Sequence, residues 1–170
     1  MRSALALAAL IGIAAPARAD DSARGADSAR GTDKGTLGVG IIVGEPTGVT
    51  FKLYLTDDRA IQGAVGSAFI GGGLQLHGDY LFHPYILQTR DSFVLPLYIG
   101  PGVRLIDYNG GGNSSAFAFG IRGVIGLLFD FKTVPLDAFF ELAPVLEYKF
   151  SSGAGFQTAL NAGAGIRYYF

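Results

Sequence analysis

The chain has no cysteine, no tryptophan and only two histidines among its 170 residues. Without cysteine there are no disulfide staples, on which small exported folds often depend, and no thiolate metal site. Long apolar runs are also missing. Past residue 20, none approaches the roughly 18 residues that mark a spanning helix. Nor is there an excess of one charge: thirteen Lys and Arg face fourteen Asp and Glu, a formal net charge of −1. No basic tract offers a footing for a phosphate backbone, so a nucleic-acid partner is not expected. What the chain does have is 26 glycines, 13 phenylalanines and 8 tyrosines. Its mean hydropathy is +0.36. Much apolar surface must therefore be arranged without a membrane-crossing helix.

The beginning reads as a targeting segment. "MRSALALAALIGIAAPARAD" carries Arg2, an apolar run from Ala4 to Ala15 and the small-residue site Ala17-Arg18-Ala19. That pattern predicts a secretory signal peptide over residues 1–19, too short in its apolar part to span a bilayer. Its removal takes Arg2 and Arg18 away, so −1 becomes −3. Next, "DDSARGADSARGTDKGT" (residues 20–36) repeats "DSAR" and shows no apolar period, which predicts a disordered leader. Residues 37–170 suffice for one domain and not two.

Within that domain one residue in two is apolar. Leu160, Ala162, Ala164, Ile166, Tyr168 and Phe170 alternate with Asn161, Gly163, Gly165, Arg167 and Tyr169. Phe140, Leu142, Leu146, Tyr148 and Phe150 oppose Asp137, Glu141, Glu147 and Lys149. The same period recurs over 36–44, 48–55, 60–69, 74–82, 95–105 and 117–131, which makes eight strands. Turn chemistry separates them: "EPTG", "TDDR", "IGGG", a longer "HPYILQTRDS", "YNGGGNSS", "KTVP" and "SSGAG". The polar face is mostly glycine and alanine with sparse charges, whereas its opposite is dense in Phe, Tyr, Leu and Ile. Such a light face suits the crowded interior of a small barrel, and the heavy face suits lipid. Aromatics gather near the strand ends, at Phe82, Phe131, Tyr168 and Phe170 on one rim and Phe69, Phe117, Tyr148 and Phe150 on the other. These features predict an all-β, eight-stranded, antiparallel up-and-down transmembrane β-barrel. A soluble sandwich or lipocalin-like barrel would place its charged face in bulk water.

Several stretches resemble a family of small bacterial outer-membrane barrel proteins that carry no assigned activity. They are "GEPTGVTFKLYL" (Gly44–Leu55), "LHGDYLFH" (Leu76–His83), "LPLYIGPGVR" (Leu95–Arg104), "LDAFFELAPVLEY" (Leu136–Tyr148) and "GIRYYF" (Gly165–Phe170). In architecture the chain is similar to OmpX and to the OmpA membrane domain. The resemblance implies residence in the bacterial outer membrane and this architecture; outer-membrane lipid is the expected partner, and a monomer is expected. It implies no reaction. The ending Ile166, Tyr168, Phe170 resembles the terminal signal read by the barrel-assembly machinery during insertion.

Candidate chemistry is sparse. His77 and Asp79 sit two apart on one strand and point the same way, as metal ligands or a base with its orienter would. No third ligand is evident in the sequence, so the favoured reading is a buried pair within an interior polar network. No serine accompanies His77 or His83 as a lipid deacylase would require. Glu141 and Glu147 share a face but lie about 20 Å apart along a strand, too far for a glycosidase pair. "GVGIIVGEPTG" lacks the Lys-Ser/Thr ending of a phosphate loop. Asn113-Ser114-Ser115 matches only a short glycosylation sequon. The strongest constellation is the inner face. There Lys52, Arg104, Arg122, Lys149 and Arg167 face Asp79, Asp130, Glu141 and Glu147, with His77 among them. Near-balance suits a filled interior, since buried charges persist when paired. The reading is a non-enzymatic envelope protein without metal or cofactor. The alternatives are a narrow passive pore and a soluble periplasmic lipocalin-like ligand binder.

Overall fold

The computed structural model describes residues 34–69, 72–109, 115–150 and 154–170. The expected signal peptide, the leader up to residue 33 and the sequon at Asn113 lie outside the described residues.

Strict alternation leaves each segment one way to bury its polar side chains, as a strand whose light face turns inward. The strands are β1 (Leu37–Gly44), β2 (Thr47–Tyr54), β3 (Arg59–Ser67), β4 (Leu74–Thr89), β5 (Phe93–Asn109), β6 (Ser115–Phe131), β7 (Leu136–Phe150) and β8 (Gly155–Tyr169). Each pairs antiparallel with the next in one up-and-down sheet, and β8 returns to β1, closing the sheet in a ring. The seam runs from Gly38↔Tyr169 to Gly44↔Gly163.

Register keeps the faces in phase around the ring. Ile99, Ile125 and Leu142 are consecutive partners across β5, β6 and β7, and all three point outward. Arg104, Gly120 and Glu147 are consecutive partners too, on the inner side. Burial is thus inverted relative to a water-soluble fold. Ile41 is 58% exposed and Ile121 59%, while Lys52 and Arg167 are 0% and 1% exposed. Inside, apolar side chains such as Ile42, Leu81, Tyr98, Leu128 and Phe139 pack between the charges.

Two inward glycines exist for space. A Cβ on Gly102 would lie 1.9 Å from Asp79 Oδ1, and one on Gly126 would lie 2.2 Å from Tyr98 Cζ. Each leaves room for a functional side chain on the neighbouring strand.

The expected loop over 83–92 is instead mostly strand, since β4 continues to Thr89. Register shifts between Phe82 and Tyr85 and between Ile86 and Gln88 break the alternation there, so the period disappears although the pairing persists. The ring is also uneven in height. β1, β2 and β3 have 8, 8 and 9 residues, whereas β4 to β8 have 15 to 17. Beyond the bond from Glu45 N–H to the Ala162 carbonyl (2.8 Å), β8 has no strand on its β1 side among the described residues.

Candidate functional site: the charged interior

Parity decides which side chains enter the ring, and the ring then sorts them into three layers. At the end that holds the β2–β3 turn, Arg167 on β8 donates from Nε to Asp137 Oδ1 at 3.0 Å. Its guanidinium lies 4.0 Å from the centre of the Phe139 ring. Tyr169 donates its hydroxyl to Asp137 Oδ2 at 2.5 Å. Lys52 reaches His83 Nε2 at 2.9 Å and sits over the Tyr54 and Tyr98 rings. Lys34 pairs with Asp130 and donates to the Leu136 carbonyl.

The middle layer is built around Glu141. Arg122 lies 3.0 Å from Asp79 Oδ1 and 3.1 Å from Glu141 Oε1. Gln62 donates to Asp79 Oδ2 at 3.1 Å and to Glu141 Oε2 at 2.8 Å, and the Tyr98 hydroxyl donates to Glu141 Oε2 at 3.0 Å. His77 Nε2 faces the same carboxylates at 3.9 and 4.0 Å.

Toward the β1–β2 turn, Arg104 donates to Glu147 Oε2 and to Gln75 Oε1, both at 2.9 Å. Glu147 also accepts from Tyr108 at 2.5 Å and from Gln157 at 2.6 Å. A cavity of about 500 Å³ opens above this layer, lined by Glu45, Arg104, Tyr108, Glu147, Lys149 and Asn161 among others.

Nine of the ten expected interior residues are therefore buried together: Lys52, His77, Asp79, Arg104, Arg122, Asp130, Glu141, Glu147 and Arg167. Lys149 is the exception. It is only half-buried, stands at the rim with its ammonium 5.2 Å from the Tyr108 ring, and has no acid partner among the described residues. It lies at the strand's end, where the wall no longer encloses it. Ile166, Tyr168 and Phe170 stand on the outer face. Glu141 and Glu147 belong to different layers, each claimed by its own arginine.

The network also contains residues beyond the expected charge set. Asp137, Gln62, Gln75, Tyr98 and Tyr169 follow strand parity and were recoverable from it. His83 falls in the stretch that reads as a loop in sequence, because β4 loses its period there. Lys34 and Glu45 lie outside the strands, one in the expected leader and one in a turn, where no period applies.

The arrangement can hold an ordered, nearly balanced set of charges away from solvent. Comparison with protein families, with curated proteins and with solved structures finds no match to the chain.

Proposed function

We propose that the chain is an integral protein of the bacterial outer membrane, a closed eight-stranded barrel whose outer face meets lipid and whose interior is filled by side chains. Its role is envelope-structural or surface-interacting, without catalysis. The observation that carries this reading is the inverted burial: an outer belt of large apolar side chains around eleven buried charged residues among those described. Bare in water, such a belt would far exceed the apolar patches that soluble proteins expose. Aromatics support it. Phe117 and Phe150 stack at 6.1 Å near one end, and Tyr168 and Phe170 meet edge-on at 5.0 Å near the other. Such clusters favour the interfaces of a bilayer. The small-barrel family that the sequence resembles has the same architecture.

The paired interior argues against a conducting pore, which would favour one sign of charge along an open path. It argues equally against a lipocalin-like binder, which keeps an apolar interior. Carbonate extraction of cell envelopes is the first test. Retention in the membrane pellet and a folded band that shifts on heating are expected; release into the soluble fraction would sink the proposal. Planar-bilayer recording of the refolded protein is expected to show no steady conductance, and discrete channels would favour the pore instead.

A further inference from the structure

We propose that His77, Asp79 and Glu141 form a binding site for one divalent transition-metal ion inside the ring. His77 and Asp79 share the inner face of β4, and Glu141 reaches them from β7 across the interior. Each offers one ligand atom, and these atoms lie within 4.8 Å of one another. Small side-chain rotations would close that triangle on an ion with bonds of about 2.0–2.2 Å. One imidazole nitrogen with two carboxylates selects zinc, manganese, iron or cobalt over calcium, which prefers an all-oxygen shell.

The second observation is His77 itself. Its side chain is 2% exposed, yet it makes no hydrogen bond among the described residues. Nδ1 has no partner, and Nε2 points at both carboxylates from 3.9 and 4.0 Å. Those distances are too long for a hydrogen bond and suit a species held between the three groups. A buried imidazole left without a partner needs a reason, and an ion supplies one.

The surroundings agree. A ligating carboxylate is normally fixed by hydrogen bonds to its outer oxygens. Gln62 and Tyr98 provide these at Glu141 Oε2, and Arg122 lies 3.0 Å from the outer Oδ1 of Asp79. Arg122 balances one of the two acids and leaves the other in excess; its Nε and Nη1, like Asp79 Oδ1, still lack hydrogen bonds. Over the buried charged side chains of the described residues the acids also lead, with Glu45, Asp79, Asp130, Asp137, Glu141 and Glu147 against Lys34, Lys52, Arg104, Arg122 and Arg167. His77 also pairs in register with Arg104, which lines the cavity at the β1–β2 end. None of this depends on what surrounds the ring.

The test uses tag-free, detergent-refolded protein titrated with Co²⁺ and followed by visible absorption, with folding checked by the gel mobility of unheated samples. A saturable one-to-one spectrum, displaced by Zn²⁺, is expected. His77→Ala removes a side chain that hydrogen-bonds nothing, so it should fold and bind at least tenfold more weakly. His83→Ala, which alters the chain's other histidine, should bind like the wild type. Glu141→Gln should also lose the spectrum. Absence of a Co²⁺ spectrum in folded wild type, or one that survives His77→Ala, overturns the proposal and leaves water as the occupant.

Discussion

Asp137 shows how strongly single residues depend on one another inside the ring. It is fully buried and holds both the Arg167 guanidinium and the Tyr169 hydroxyl. Without it, Arg167 would keep only the Gln62 amide oxygen at 3.3 Å and the face of Phe139. Stranding a buried charge costs about 3–5 kcal/mol. Asp137→Ala should lower the urea midpoint accordingly, and adding Arg167→Met should restore part of the loss, because the uncompensated charge then disappears. Gly126 makes the complementary case. A side chain there collides with the Tyr98 ring and the Phe140 carbonyl. Gly126→Val should therefore destabilise by about 1–3 kcal/mol through overpacking, seen in the same urea titration. Parity alone places Asp137 and Gly126 on the inner face. Which acid meets which base is another matter. Asp79 and Glu141 converge on Arg122 from β4, β7 and β6, and that meeting depends on the tilt and closure of the ring. No local pattern carries it.

At the scale of the strand, the outer face of β6 gives the sharpest test. Ile125 sits mid-strand between Ile99 and Leu142, half exposed like both partners. If lipid covers it, Ile125→Arg should cost about 2–4 kcal/mol for a charge near the bilayer midplane. Unfolding measured in lipid vesicles would read the loss. An unchanged midpoint would mean that this face meets water. β6 and β7 were legible because glycine and charge alternate with bulky residues along nearly their whole length. β4 was legible only as far as Phe82. Its two register shifts put Pro84 and Tyr85 both outside, and a strand that stops alternating is indistinguishable from a loop in sequence. β1 and β3 were blurred by glycines at 38, 40, 63 and 66, which have no side chain to declare a face.

For the molecule as a whole, an even number of strands places every second turn on the same side. The β1–β2, β3–β4, β5–β6 and β7–β8 connections share one end, and the remaining turns share the other. If the end that carries the β1–β2 connection faces outside the cell, epitope tags inserted at Gly111 and Ser152 should be reached by antibody on intact cells, and a tag at Asp58 should be reached only after permeabilisation. The opposite pattern would invert the orientation, and a mixed pattern would break the topology.

The uneven strand lengths bear on the order in which the ring can be built. β1 is the first strand of the domain to be synthesised, and its second partner, β8, is the last. Meanwhile β1 carries an open edge bearing Val39, Ile41 and Val43, a template on which other chains could pair. Its eight residues include Gly38, Gly40 and Gly44, and glycine weakens a strand that has not yet found its partners. The same brevity makes the β1–β8 seam much shorter than the β5–β6 ladder, which runs from Phe93↔Phe131 to Asn109↔Ser115. It also joins stretches far apart in the chain, whose loop-closure entropy must be met before any seam bond forms. A strand this reluctant to pair early is well suited to waiting, and the seam it finally makes is where the ring will first come apart.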